Sequence, residues 1–517
     1  MTMPLLLTDG AAALDWLRAQ GARGLVADSR QVRPGDAFVA WPGAAVDARR
    51  YVAAALQAGA VAALVEADGL PAWLQTGAET AWPAQAAVAA LPGLRAVAGA
   101  LASAFWGHPS QRLAVVAVTG TNGKTSTAWW CAQALGAAGR DAGLIGTLGI
   151  GRPGAALRST GLTTPDPITL QAALQTFAAE GAAAAVLEAS SIGIEEGRLD
   201  GCHVHTAIFT NLTQDHLDYH GSMDAYWAAK RRLFDWPGVR AAVVCVDDPW
   251  GQRLAAELAP RAEAGALDLW TYAVQPQARA RLRAAELHWQ PTGMHLRVQA
   301  DDGGQATWTL PLVGAYNAAN VLAVCAALRA QGLPWSLIEP AVARLSPVPG
   351  RMQPAWSAAD GPADRLPHVL VDYAHTPDAV EQALRALRPL AQARGGRLWC
   401  VLGCGGDRDP TKRAPMAAAA EAWADRVVLT SDNPRSEDPH QIIAQMVQGL
   451  LNPARAVLEP DRAAAIAWVV QQAEPRDVVL LAGKGHEQYQ EIAGVRHPFC
   501  DLQQARAALR RRWEADA

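Results

Sequence analysis

Short apolar runs recur along this chain, and most are followed at once by a polar, glycine-rich stretch. The runs are Leu113–Val118, Ala184–Leu187, Thr206–Thr210, Ala241–Val246, Val369–Val371, Leu398–Leu402, Val427–Leu429 and Val478–Leu481. Helical patterns separate many of them, as at Asp378–Leu390, at Lys412–Ala424 and from Thr125 onward. Strands without a polar face, alternating with helices, predict parallel sheets covered on both sides. The pattern breaks at Phe105–Gln111 (FWGHPSQ) and at Leu345–Arg351 (LSPVPGR), which divides the chain into three α/β domains: 1–111, 112–349 and 350–517. The stretches after the runs are Gly120–Thr125, Glu188–Ser191, Asn211–Gly221, Asp372–Asp378, Gly403–Asp409, Asp432–Arg435 and Gly483–Glu487. Open parallel sheets bind ligands at the carboxyl ends of their strands, so this layout predicts a chain built around ligands.

Composition narrows the class. The chain has 517 residues, half of them hydrophobic and 18% charged, with a net charge of −4. That is the profile of a globular protein with material for several cores. Nothing in it offers the basic field that nucleic acid or an anionic membrane surface requires, so anion binding has to be local. The first residues lack a positive n-region and a cleavage pattern, and the Ala-rich apolar stretches are too short to span a bilayer. The seven cysteines form no CxxC pair, and Cys400 and Cys404 have no further Cys or His pair to complete a zinc site. A reducing cytoplasm is expected.

The first chemistry lies at Thr119–Thr125, TGTNGKT, between a strand and a helix. Glycines allow backbone N–H groups to turn inward around phosphate oxygens, and the helix N-terminus favours the same charge. Lys124 would reach the β- and γ-phosphates and Thr125 would bind Mg²⁺. Only two residues separate Gly120 from Gly123, where the ordinary Walker spacing has four, so a glycine-rich turn capping a helix is the alternative. Further on, TNLTQDHLDYHG at 210–221 packs two carboxylates and two imidazoles into one loop, a density suited to a divalent cation or a charged substrate. Glu188, at the end of another strand, could add a carboxylate to the same Mg²⁺ site.

These residues belong to a longer series: DSR at 28–30, EASS at 188–191, YWAAK at 226–230, GAYNAANVLAV at 314–324, GRM at 350–352, DYAHTPD at 372–378, GCGGDRD at 403–409, DNPR at 432–435 and AGKGHE at 482–487. The series resembles the Mur ligase family over nearly the whole chain. The resemblance implies the three-domain α/β architecture of that family. An N-terminal UDP-binding domain is followed by a P-loop central ATPase domain and a Rossmann-like C-terminal domain that binds an amino acid. It implies an ATP-dependent ligase of peptidoglycan precursor synthesis that adds meso-2,6-diaminopimelate to UDP-N-acetylmuramoyl-L-alanyl-D-glutamate, with Mg²⁺ as cofactor. A monomer working on small molecules, with neither nucleic acid nor membrane as partner, is the matching expectation.

Residue by residue, the resemblance assigns ATP to Gly120, Thr121, Asn122, Gly123, Lys124, Thr125 and Ser126, with Asn317 on the adenine side and Arg351 near ATP. It assigns the UDP-muramoyl dipeptide to Ala27, Ser29, Thr163, Thr164, Ser190, Glu196 and Arg198. Diaminopimelate goes to Arg408, Asp432, Asn433, Pro434, Arg435, Gly483 and Glu487. The metal goes to Thr125, Glu188, His216 and a carbamylated Lys230, and catalysis to Lys124, Lys230 and His216. Arg435 carries the choice of amino acid: its planar fork can grip the far carboxylate that distinguishes diaminopimelate from lysine. On spacing alone, a plain turn with Arg435 in solvent is the favoured reading of DNPR, and an ordinary surface lysine is not excluded at Lys230. Against the family pattern, Ile192 replaces a His, Glu196 a Gln, Gln353 a Glu and Cys245 an Asn, while Ala44–Ala45–Val46 is apolar where UDP contacts are polar. Glu196 is expected to bring negative charge toward an anionic substrate. The rivals are a sister ligase for lysine or another amino acid, a folylpolyglutamate synthetase, a regulatory P-loop ATPase and a non-catalytic sugar-nucleotide binder.

Overall fold

Runs such as Ala114–Thr119 and Val478–Ala482 are buried at nearly every position, so neither face meets water and each must lie inside a covered sheet. A computed structural model describes residues 3–43, 46–75, 82–83, 85–290, 293–356 and 364–516. The chain divides into two compact units, one of Met1–Ala273, Ala278–Leu282 and Ala323–Ala341, the other of Val274–Gln277, Arg283–Leu322 and Val342–Ala517.

The first unit holds two sheets. One takes β1 (Leu5–Leu6), β2 (Gly24–Val26), β3 (Asp36–Ala40), β4 (Ala62–Glu66) and β5 (Val88–Leu91) in the order β1-β5-β4-β3-β2, all parallel. The other takes β6 (Ala114–Thr119), β7 (Ala142–Gly146), β8 (Gly149–Gly151), β9 (Ala184–Glu188), β10 (Thr206–Phe209), β11 (Ala241–Cys245) and β12 (Asp268–Ala273) in the order β12-β11-β10-β6-β9-β7-β8. Register decides the site. Thr119 pairs with Phe209 and Val118 with Glu188, so β6, β9 and β10 end side by side. The loops that follow them emerge at one edge.

The second unit repeats the device. β17 (His368–Asp372), β18 (Leu398–Cys404), β19 (Arg426–Ser431), β20 (Val457–Leu458) and β21 (Val478–Ala482) are parallel in the order β17-β21-β18-β19-β20, with β16 (Gln353–Pro354) antiparallel at the edge. Ala482 pairs with both Asp372 and Leu402, and Cys404 with Ser431, so four motif loops leave one edge together. Ahead of them, β13 (Leu282–Gln290), β14 (Gly293–Ala300) and β15 (Gln305–Leu310) follow one another in sheet order.

The β1–β5 sheet is parallel throughout, as expected, whereas the two larger sheets carry antiparallel strands at their edges, which corrects the expectation for them. β7 with β8, β14 with β15 and β16 with β17 are antiparallel. Two of these pairs are joined by loops far too short for a parallel crossover, as where Ala300 N bonds Gly304 O between β14 and β15. Among the described residues no helix is long and apolar enough to cross a membrane. All seven cysteines are free, and burial pushes the Cys131, Cys202, Cys400 and Cys404 thiols up to about 12, which leaves them unreactive.

Candidate functional site

At the edge of the first unit, the Gly120 backbone takes φ +141°, and a Cβ there would lie 1.9 Å from Thr210 Oγ1. Only glycine lets the loop pass this close to β10. Gly123, also left-handed, caps the helix Lys124–Ala137. The following loop locks onto this turn: Asn122 N donates to Asn211 Oδ1 at 3.0 Å, Thr213 N to Thr121 Oγ1 at 3.0 Å and Thr210 Oγ1 to the Asn122 carbonyl at 2.6 Å.

Two lysines converge on one carbonyl. Lys124 Nζ donates to Gly120 O at 2.9 Å and Thr121 O at 2.8 Å, and Lys230 Nζ donates to Gly120 O at 2.8 Å. Lys230 is 1% exposed and lies 4.3 Å from the centroid of the Tyr226 ring. Burial holds its ammonium well below the usual lysine range, the charge of Lys124 adds to that, and Asp215 opposes it. Tyr226 in turn bonds Thr121 Oγ1 through its hydroxyl at 3.1 Å.

Glu188 is buried beside them. Its Oε2 accepts from Thr125 Oγ1 at 2.9 Å and from Thr147 Oγ1 at 3.1 Å, and its Oε1 from Thr147 N at 2.8 Å. A carboxylate and a hydroxyl at the head of the glycine-rich loop are hard oxygen donors of the kind Mg²⁺ takes. His216 stands apart, with its side chain 46% exposed, φ +51° and its Nε2 3.5 Å from Asp215 Oδ2. Among the described residues no group of three His, Cys, Asp or Glu side chains is gathered as a metal site.

Next to Glu188, Thr164 Oγ1 donates to the Glu188 carbonyl at 2.8 Å, lies 2.9 Å from Ser190 Oγ and accepts from Ser190 N at 3.0 Å. Thr163 reaches the same cluster through Thr147 at 3.1 Å. Arg198 donates to the Thr164 carbonyl at 2.8 Å and to Glu196 Oε2 at 2.9 and 2.6 Å, while Arg95 lies 3.6 Å from Glu196 Oε1. Glu196 therefore stands between two guanidiniums and presents no uncompensated negative charge, which corrects the expectation for it. His220, beyond this cluster, bonds Ser191 Oγ at 2.9 Å and lies 3.0 Å from Glu195 Oε2. Ala27 and Val46 line a separate cavity of about 210 Å³ with Trp41 and Asp166. Ser29 opens the turn beside it, capped by Asp28, while Ala44 and Ala45 lie outside the described residues.

In the second unit the loops after β19 and β21 interlock. Asn433 Nδ2 donates to Glu487 Oε2 at 2.8 Å, and Lys484 Nζ donates to Asn433 Oδ1 at 3.0 Å and to Glu487 Oε2 at 3.1 Å. Gly483 takes φ +112°, and a Cβ there would lie 2.5 Å from Asp432 Oδ2. Burial raises the Asp432 carboxyl above the usual range, against the pull of Lys484 and Arg462. Arg435 is held in the left-handed region at φ +53° by β22 (Tyr489–Ile492), where its N–H donates to Glu491 O at 2.9 Å. Its guanidinium donates to Gly406 O at 2.6 Å, and Arg408 is exposed on the adjoining loop.

On the far side of this edge Arg351 lies 4.6 Å from the Tyr373 ring centroid, and Asp372 accepts from Met352 N and Ala374 N at 2.8 and 2.9 Å. Gln353 Oε1 accepts from Gly350 N at 2.9 Å, so the amide holds the turn. Asn317 is buried, donating to Val313 O at 2.7 Å. Reasoning from sequence passed over Thr147, Tyr226, Tyr373 and Lys484. The last three lie inside motifs already singled out, whereas Thr147 carries no signal of its own.

Three family descriptions match the chain: "Mur ligase family, catalytic domain" at residues 22–106, "Mur ligase middle domain" at 118–328 and "Mur ligase, glutamate ligase domain" at 350–485. The chain is 51% identical over 514 residues to a UDP-N-acetylmuramoyl-L-alanyl-D-glutamate–2,6-diaminopimelate ligase of Acidovorax sp. strain JS42, covering 98% of each chain. It is 46% identical to the protein of that name from Pseudomonas aeruginosa, covering 94% of this chain and 95% of the relative. A solved structure of a ligase of the same name matches with a TM-score of 0.64 and 35% identity, covering 96% of this chain and 95% of that one. MurF ligase of Thermotoga maritima in complex with ADP shares the fold at a TM-score of 0.61 and 17% identity, covering 97% of this chain and 100% of that one.

Proposed function

The chain belongs to the Mur ligase family, and from that premise we propose that it joins meso-2,6-diaminopimelate to the D-glutamate of UDP-N-acetylmuramoyl-L-alanyl-D-glutamate, using ATP, in peptidoglycan precursor synthesis. One observation carries the choice of amino acid: Arg435 and Glu487 stand on interlocked loops, a cation and an anion for a substrate with an ammonium and a carboxylate at its far end. Lysine would leave the guanidinium without its partner, at a cost of roughly a few kcal/mol in an enclosed site.

A substrate carboxylate is a poor acyl donor, so it attacks the γ-phosphorus of ATP, ADP leaves as the bond to the bridging oxygen breaks, and the carboxylate becomes an acyl phosphate. Lys124 exchanges the Gly120 and Thr121 carbonyls for phosphate oxygens, and the backbone N–H groups of the helix start take the rest. Ser190, Thr164 and Arg198 hold the muramoyl peptide in line. The amine of diaminopimelate then attacks the acyl carbon, and phosphate leaves from the tetrahedral intermediate. Much of the acceleration is positioning, because three substrates must meet.

Thr125 and Glu188 would hold Mg²⁺, and the further ligands that the family resemblance assigns are a carbamylated Lys230 and His216, which stands apart from them in this structure. When bound, the ion neutralises charge on the transferring phosphoryl group. As an ammonium Lys230 cannot ligate a cation. Its burial supports the modification, since CO₂ adds to the neutral amine that burial favours. The division at 1–111, 112–349 and 350–517, a monomeric state and a cytoplasmic location complete the proposal.

The test is phosphate release dependent on ATP and UDP-muramoyl dipeptide, with diaminopimelate and L-lysine supplied separately. We expect release with diaminopimelate and little with lysine. Arg435→Ala should raise KM for diaminopimelate by about thirtyfold or more and leave KM for ATP nearly unchanged. Release with lysine alone would overturn the pocket, and release with neither would overturn the reaction.

A further inference from the structure

Behind Arg435 and Glu487 lie Lys484, Arg462 and Asp501, buried charged groups that the reaction as described does not use. Lys484 is fully buried and Glu487 is 20% exposed, so the ammonium is the inner partner and the carboxylate faces outward. Burying an ammonium is costly unless every donor finds an acceptor. Here two of the three donors find acceptors in a closed triangle, in which Lys484 holds Asn433 and Glu487, and Asn433 also holds Glu487. Asn433 Oδ1 accepts a further bond from Glu491 N at 3.0 Å, which leaves its amide no other orientation. Both Lys484 and Asn433 bind Oε2 of Glu487, and among the described residues Oε1 receives no hydrogen bond.

Deeper still, Arg462 and Asp501 form an ion pair at 2.6 Å with neither side chain exposed. Arg462 also donates to Ser431 O at 3.2 Å and Ala482 O at 2.9 Å, the last residues of β19 and β21. The two strands that carry the pocket loops are thus tied together at their ends.

We infer that Lys484 is a positioning residue for the amino-acid site: it fixes Glu487 through Oε2, so that Oε1, which receives no hydrogen bond among the described residues, meets the ammonium of the incoming amino acid. The inference rests on the ligase reading above. Lys484 touches no reacting atom. It decides where the recognising carboxylate stands, so its removal weakens recognition of the amino acid and leaves the nucleotide alone.

The experiment is a double-mutant cycle on the full-length protein, reading kcat, KM for diaminopimelate, KM for ATP and melting temperature for Lys484→Met, Glu487→Gln and the two combined. Each single variant is expected to raise KM for diaminopimelate about tenfold or more with KM for ATP unmoved, and the double variant to be no worse than Glu487→Gln alone. Lys484→Gln, which keeps a donor without the charge, replaces Lys484→Met under the same criteria if that variant does not fold. Additive effects in the double variant, an unmoved KM for diaminopimelate, or a parallel loss in every parameter together with melting temperature would overturn the role of Lys484. Wild-type protein that releases no phosphate with diaminopimelate would overturn the ligase reading itself, an outcome separate from an active wild type with unaffected variants.

Discussion

Lys230 shows how much a single residue depends on what surrounds it. In a helix that reads YWAAK it has the look of a solvated lysine, yet it is buried against Tyr226 and shares the Gly120 carbonyl with Lys124. Two ammonium groups on one carbonyl, with one of them out of water, are stable only if one loses its charge or gains an anion. The proposed carbamylation would meet both demands, converting the amine into a carbamate anion. Lys230→Ala is therefore expected to reduce kcat by about two to three orders of magnitude, the scale of losing one electrostatic contact to the transition state. Short carboxylic acids such as acetate should restore part of it, read as phosphate release over an acetate titration. No recovery at any concentration would remove the carbamate role.

At the scale of elements, strand register sets what the loops can do. Because β6, β9 and β10 end within one residue of each other, a phosphate-type loop, a carboxylate and a polar loop meet without any long connection. The fit is tight enough to have a clear breaking point. Gly120→Ala would set a Cβ on Thr210 Oγ1 in a left-handed backbone, costing about 1–2 kcal/mol from conformation before the clash is counted. We expect a lower melting temperature and a loss of ATP binding, measured by calorimetric titration. An alanine variant that binds ATP normally would show that the loop does not approach the nucleotide. In the second unit, the left-handed residues Met352, Asp407 and Arg435 lie in or beside motif loops, where their neighbours enforce the strain.

For the molecule as a whole, stability should fall in mild acid. Burial holds the His368 and His486 rings down at about 4, with Arg394 and Arg351 adding repulsion, against an ordinary value of 6.5. Between those values the unfolded chain binds protons that the folded one excludes, so stability is full above about pH 6.5 and declines as pH falls toward 4. Both rings lie in the second unit, which should lose stability first. Urea denaturation at stepped pH checks this. His368→Gln should flatten the decline, and an unchanged slope in that variant would remove His368 as a source.

The buried strands, the loops after them, the glycine-rich turn and the motif series were legible in the sequence because each is local. A run with no polar face and a glycine between a strand and a helix carry their physics within a few residues. The antiparallel β14 and β15 left a period-two signal in QATWTL and GMHLRVQA, which a search for continuous apolar runs passes over. Other features depended on register and burial, which no local pattern encodes. Thr147 reaches Glu188 only because β7 lies beside β9. Glu196 stands between two guanidiniums because Arg95, far away in sequence, lies across from it opposite Arg198. Lys484 became part of the amino-acid site only when folding removed it from water and left Asn433 and Glu487 as its partners. Sequence determined which chemical groups follow each strand; the tertiary structure decided which of them meet, because a charge acquires its role from the dielectric and the neighbours that folding gives it.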